Sequence, residues 1–159
     1  VAWTTPRTWV AGELVTAALL NTHLRDNLNA VTTWTTWSPT LTNLSIGNGT
    51  QAGRYISAGG FVQVEYSLQW GSTTSASGAL AISLPVTAAA LTGTPFRVTG
   101  DARDASAGEN YTVRGRLGST TSLTLITGEG ASAAGIGTAS PFTWATSDEL
   151  HFWGRYRTV

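Results

Sequence analysis

Two histidines, one acidic loop, one glycine-rich loop and seven tryptophans are the parts of this sequence with chemistry to offer. His23 stands in a stretch with leucines at helical spacing, and His151 alternates with Leu150 and Phe152 in a run that reads as a strand. The chain has no cysteine, so a metal site would have to join these histidines to carboxylates distant in sequence, and neither has a patterned partner. Polar surface or a hydrogen bond at a helix seam is the expectation for both, with no metal site. The stretch "DARDASAGEN" gathers Asp101, Asp104 and Glu109 but lacks the acidic ladder and fixed glycine of a calcium loop; it reads as a solvated hairpin loop that can contribute to a binding tip. In "LITGEGASAAGIG" the spacing Gly128-x-Gly130-x-x-Ala133, with Asp148 further on, superficially meets the dinucleotide fingerprint. Gly135, Gly137 and Pro141 deny it the helix that such a motif must open, so an inter-strand loop is expected and no cofactor. No serine stands in a nucleophile elbow, and no acid/base pair is legible from spacing, so the chain is not expected to be an enzyme.

Trp3, Trp9, Trp34 and Trp37 bracket the leucine-bearing stretch, while Trp70, Trp144 and Trp153 lie in or beside strands. Packing accounts for most of them, because large aromatics are usually mostly buried. Trp153, on the strand face opposite Phe152, is the candidate platform for stacking a sugar ring, with Asp101 and Asp104 as polar groups for glycan binding.

The elements that would carry these groups divide in two. Residues 1–12 have no periodicity and read as an extended arm. From Thr16, an expected N-cap, Ala17, Leu20, Leu24, Leu28 and Val31 fall on one narrow stripe at about 100° per residue. A helix of about 24 Å follows at 1.5 Å per residue, too short to be stable alone in water. The stripe is narrow and coiled-coil-like, so Ala17, Leu20, Leu24, Leu28 and Val31 are the expected oligomerisation seam, with Asn21 and Asn27 beside it to set register. Val15 and Leu19 point roughly the other way and, with Trp3 and Trp9 of the arm, are the expected attachment surface.

From Leu41 onward short alternating runs separated by Gly, Ser, Thr and Pro predict about eight strands. "FVQVEYSLQW" is the cleanest, with Val62, Val64, Tyr66, Leu68 and Trp70 on one side. Asn48-Gly49 in "GNGT" reads as a tight hairpin turn between two of the strands, and the triplets at Asn43, Asn48 and Asn110 as turn chemistry rather than glycan acceptors. The predicted fold is mainly β, an antiparallel, jelly-roll-like β-sandwich over 38–159 preceded by one amphipathic α-helix in an N-terminal unit of residues 1–37.

Composition sets the outer limits. Nine basic and nine acidic residues give a formal net charge of zero, which leaves no electrostatic footprint for nucleic acid or an anionic membrane. No apolar stretch approaches the length of a membrane span, and the N-terminus shows no secretion signal pattern.

With these residues in view, "TWVAGELVTAALLNTHLRDNLNAV" resembles a segment near the start of structural proteins of tailed bacteriophages and prophages, particularly of actinobacteria. "PTLTNLSIGNGTQAGRY", "LQWGSTTSASGALAISLPVTAA" and "SPFTWATSDELHFWGRY" are similar to β-rich modules of the same proteins. The resemblance covers nearly the whole chain, and basic residues that are all arginine suit a GC-rich host. It implies a non-enzymatic virion protein, a homotrimer bundled through its helix, attached to other capsid or tail proteins with the sandwich facing outward, as in head decoration or a tail fibre. A second reading of the same fold is a receptor- or carbohydrate-binding module that recognises host cell-surface polysaccharide.

Overall fold

The computed structural model of the chain describes residues 3–90, 93, 96–128, 130 and 133–159. Its helix begins where the Thr16 side chain caps it, Oγ1 accepting from the Leu19 amide at 3.3 Å. Ala17–Leu20 and Asp26–Thr32 are α-helical and Asn21–Arg25 between them forms a wider π turn; the three run on without a break as α1. The seam spacing explains the use of such a turn. Leu20, Leu24 and Leu28 are separated by steps of four, which over-rotate a regular helix by about 40° each at 100° per residue. A π turn holds more residues and counters that drift. Past Thr32 the β-branched and aromatic run favours extended backbone, and Thr33 adopts it with φ −110° and ψ 121°.

Among the described residues ten strands follow: β1 (Thr35–Trp37), β2 (Leu41–Ser45), β3 (Thr50–Ala58), β4 (Phe61–Gln69), β5 (Ser75–Ser83), β6 (Phe96–Asp104), β7 (Glu109–Ser119), β8 (Ser122–Thr127), β9 (Ala134–Gly135) and β10 (Glu149–Arg157). They form one antiparallel sheet in the order β1-β3-β4-β10-β6-β7-β8-β5-β2, with β9 paired to β8. The mainly β architecture with one preceding helix is therefore as expected.

Connection lengths dictate that the sheet curls. β1 and β2 lie at opposite edges, yet only residues 38–40 join them, and residues 46–49 carry the chain back from β2 to β3. Laid flat at about 4.8 Å per strand the two edges would stand about 38 Å apart, whereas four residues reach about 14 Å at most. Curling brings the edges together and lets both halves of the sheet line one core, in which Val62, Val64, Leu68 and Phe152 meet Leu80, Ile82, Leu123 and Leu125.

That closure corrects one expectation. β2 and β3 are not a hairpin: β2 pairs with β5, and β3 with β1 and β4. Turn chemistry is present at 46–49, but it serves a corner between edges. Gly47 takes the left-handed conformation at φ +52°, and the Asn48 side chain grips the β4–β5 loop, accepting from the Thr73 amide at 2.9 Å and donating to Ser72 Oγ at 3.0 Å. Asn43 sits in a bulge of β2 at φ +63°, and Asn110 is a strand residue of β7 rather than part of a turn. The sheet also begins before residue 38, since β1 pairs with β3 and Trp37 is buried against Tyr66, 5.8 Å between ring centroids. Burial of the Tyr66 hydroxyl, which donates to Gln51 at 2.9 Å, holds its pKa far above the ordinary value.

Candidate functional site

Two surfaces carry the residues singled out in the sequence: the helix with its arm, and the outer face of β4, β10 and β6. On the helix, Leu19 and His23 are half-buried and Asn27 and Ala30 are buried, while Ala17, Leu20, Leu24, Leu28 and Val31 are exposed. Leu24 and Leu28 are 56% and 57% exposed. A helix that packs through one face has thus turned its leucines about one residue's rotation away from the chain's own body.

Asn27 does something other than set register. Its carboxamide pairs with the backbone of the arm, Oδ1 accepting from the Thr4 amide at 2.9 Å and Nδ2 donating to the Thr4 carbonyl at 2.8 Å. Nδ2 also reaches the His23 carbonyl at 3.2 Å. A buried amide satisfied in this way substitutes for a neighbouring strand and lashes the arm along the helix. Farther along the arm, Arg7 forms an ion pair with Glu13 and lies over the Trp9 ring, whose edge meets the His23 ring at a centroid distance of 6.4 Å. Trp3 lines the cleft between arm and sheet with Tyr55. Of the expected attachment residues, Trp3, Trp9 and Val15 are exposed or at the edge of exposure and Leu19 is half-buried.

Strand alternation places Trp153 as expected. Phe152 is buried, stacked on Tyr66 with 5.1 Å between centroids, and Trp153 points outward and is 53% exposed. In the register across the sheet, Trp153 lies between Glu65 of β4 and Thr99 of β6. Glu65 is held by both Nε and Nη2 of Arg54, at 2.7 and 2.6 Å, and Arg54 stacks over Trp34 at 4.9 Å. Helix exit and sheet face are linked through that row. Nearer the start of β10, His151 meets Glu149 at 3.2 Å with Arg103 3.6 Å away; the hydrogen bond from His151, with help from Arg103, lowers the Glu149 pKa.

The two aspartates proposed for glycan contact have different surroundings. Asp101 lies on β6 opposite His151 and Thr112. Asp104 is occupied by its own turn, accepting from the Ala107 and Ser106 amides and the Ser106 hydroxyl, and these bonds lower its pKa. Asp148, the acid of the apparent dinucleotide spacing, is buried and ties two loops, accepting from the amides of Ala105 and Ala145. Gly128 leads from β8 toward β9, which pairs back on β8, so strand pairing stands where a nucleotide motif would need a helix; residues 129, 131 and 132 of that spacing lie outside the described residues.

Scans of family models, curated proteins and solved structures found no match to this chain.

Sequence reasoning missed the Asn27 clamp, since an asparagine gives no local sign of pairing with a backbone 23 residues away. It also passed over Arg155 and Arg157. Their signal was present: in "HFWGRYR" they share the parity, and so the face, of Trp153.

Proposed function

We propose that this chain is a non-enzymatic structural protein of a tailed-phage virion, a homotrimer held by its helix and attached to neighbouring virion proteins through its arm. In this reading the jelly-roll-like β domain faces outward and the particle is the protein's location. The observation that carries it is the exposed stripe Leu20, Leu24, Leu28 and Val31 on a helix whose other face is already occupied. Contiguous apolar side chains at this spacing lose free energy on burial, roughly 1.5–3 kcal/mol for each large residue fully covered, and three copies around one axis cover them symmetrically. The sequence resemblance to phage structural proteins supplies the virion setting, and a Thr- and Ser-rich exterior keeps such a projecting domain hydrated.

The test is Leu24→Asp. Its expected result is a chain one third of the wild-type native mass with an unchanged β-type circular dichroism spectrum. A variant that keeps the wild-type mass would refute the seam. Gold labelling of the N-terminus on intact particles would test attachment.

A further inference from the structure

Trp153 separates two grooves of opposite character on the outer face of the sheet. Toward β3 and β4 the groove is lined by Arg54, Glu65, Ser67 and His151, whose charges are already matched by Arg54–Glu65 and His151–Glu149 pairs. Toward β6 and β7 it is lined by Arg97, Thr99, Arg114 and Arg155, with a volume of about 340 Å³, within the usual size range of small-ligand sites. There two of the guanidinium groups, those of Arg97 and Arg155, differ from the paired charges on the other side. Arg97 Nε is buried without a hydrogen-bond partner among the described residues. Among the described residues, neither Arg97 nor Arg155 has a carboxylate within ion-pair distance. Arg114 donates Nη2 to the Gly128 carbonyl at 2.9 Å and forms a flank.

A buried guanidinium nitrogen with no acceptor is costly, and an acceptor from a ligand relieves that cost. We infer that the groove on the β6 side of Trp153 binds an anionic saccharide, its ring stacked on the indole and its carboxylate or phosphate received by Arg97 and Arg155. The floor explains the choice of ring. Thr99, opposite Trp153 in the register of β6, has a short side chain, so the indole has a hydroxyl and no bulky group beside it on that side. Guanidinium groups match planar carboxylates and phosphates bidentately. A nucleic-acid tract fits less well, because Glu65, Asp101 and Glu149 share the outer face and the chain carries no net positive charge. This inference does not rest on trimer formation.

The experiment titrates the full chain with oligogalacturonate, a glycerol-phosphate polymer bearing sugars, neutral maltohexaose and oligothymidylate, reading tryptophan fluorescence and heat. At least one of the two acidic saccharides is expected to bind, about tenfold or more tighter than maltohexaose, and to weaken as salt rises. Preference between the two identifies the acid as carboxylate or phosphate. Trp153→Ala and Arg155→Ala should each weaken binding about tenfold, with Trp153→Phe keeping most of it and all three retaining the wild-type circular dichroism spectrum. Binding of neither acidic saccharide, equal binding of maltohexaose, tighter binding of oligothymidylate, or full affinity in Trp153→Ala would each overturn the inference. So would a change of native mass in Trp153→Ala, which would make the indole an interface residue.

Discussion

β4 and α1 carry the same kind of signal and meet different fates. In β4 the alternating Val62, Val64, Tyr66 and Leu68 are all 4% exposed or less, whereas the equally regular Leu20, Leu24, Leu28 and Val31 of α1 are 41–57% exposed. Periodicity says that an apolar face exists; it does not say whose surface will cover it. For β4 the cover is the far half of the same sheet, brought over by links too short to span it flat. For α1 the chain's own body is already spent on the neighbouring face, where Asn27 and Ala30 are buried. The stripe stays exposed, and in the proposed trimer it is what the other copies cover.

If that contrast is right, the core should be far more sensitive than the seam in an isolated chain. Phe152→Ala is expected to lower unfolding free energy by about 3–5 kcal/mol in denaturant titration. Leu28→Ala, measured at a dilution where chains are separate, should stay within about 0.5 kcal/mol of wild type. Comparable losses from both would show that the stripe packs on its own sheet. An intermediate effect belongs to the clamp: Asn27→Ala should cost about 1–3 kcal/mol locally, seen as faster hydrogen exchange at the Thr4 amide and earlier proteolysis of the arm, with the β core undisturbed.

Acid should act on the sheet end rather than on the helix, and mildly. Asp104 and Glu149 hold their protons less tightly folded than at their ordinary values of 3.8 and 4.5. Their contribution is therefore present above those values and is lost as pH falls through the lower folded ones. Thermal stability should decline below about pH 4, and Asp104→Asn should flatten the decline; an unchanged slope would remove Asp104 from the account.

Much of this was legible in the residues. Thr16 announced the helix start, the parity of β10 separated buried Phe152 from exposed Trp153, and the β6–β7 turn falls within "DARDASAGEN" at residues 105–108, with Asp101 and Asp104 on β6 and Glu109 on β7 rather than in the loop. What stayed hidden was long-range. The partner of β2 is β5, about thirty residues on, while the nearby Asn48-Gly49 suggested a hairpin; local turn preferences describe a bend without naming the strands it connects. β1 falls inside the N-terminal unit expected over residues 1–37, because three residues carry too little alternation to be recognised as a strand. The unmatched charge beside Trp153 required register, which sets Thr99 and Glu65 on its two sides.

The native mass of the purified wild-type chain, measured by light scattering, tests the central claim most directly. Three times the 16.6 kDa of one chain is the predicted result, with the helix stripe covered in the assembly. A mass of 16.6 kDa at concentrations where virion proteins assemble would contradict the account and leave the leucines of α1 without the partner it assigns them.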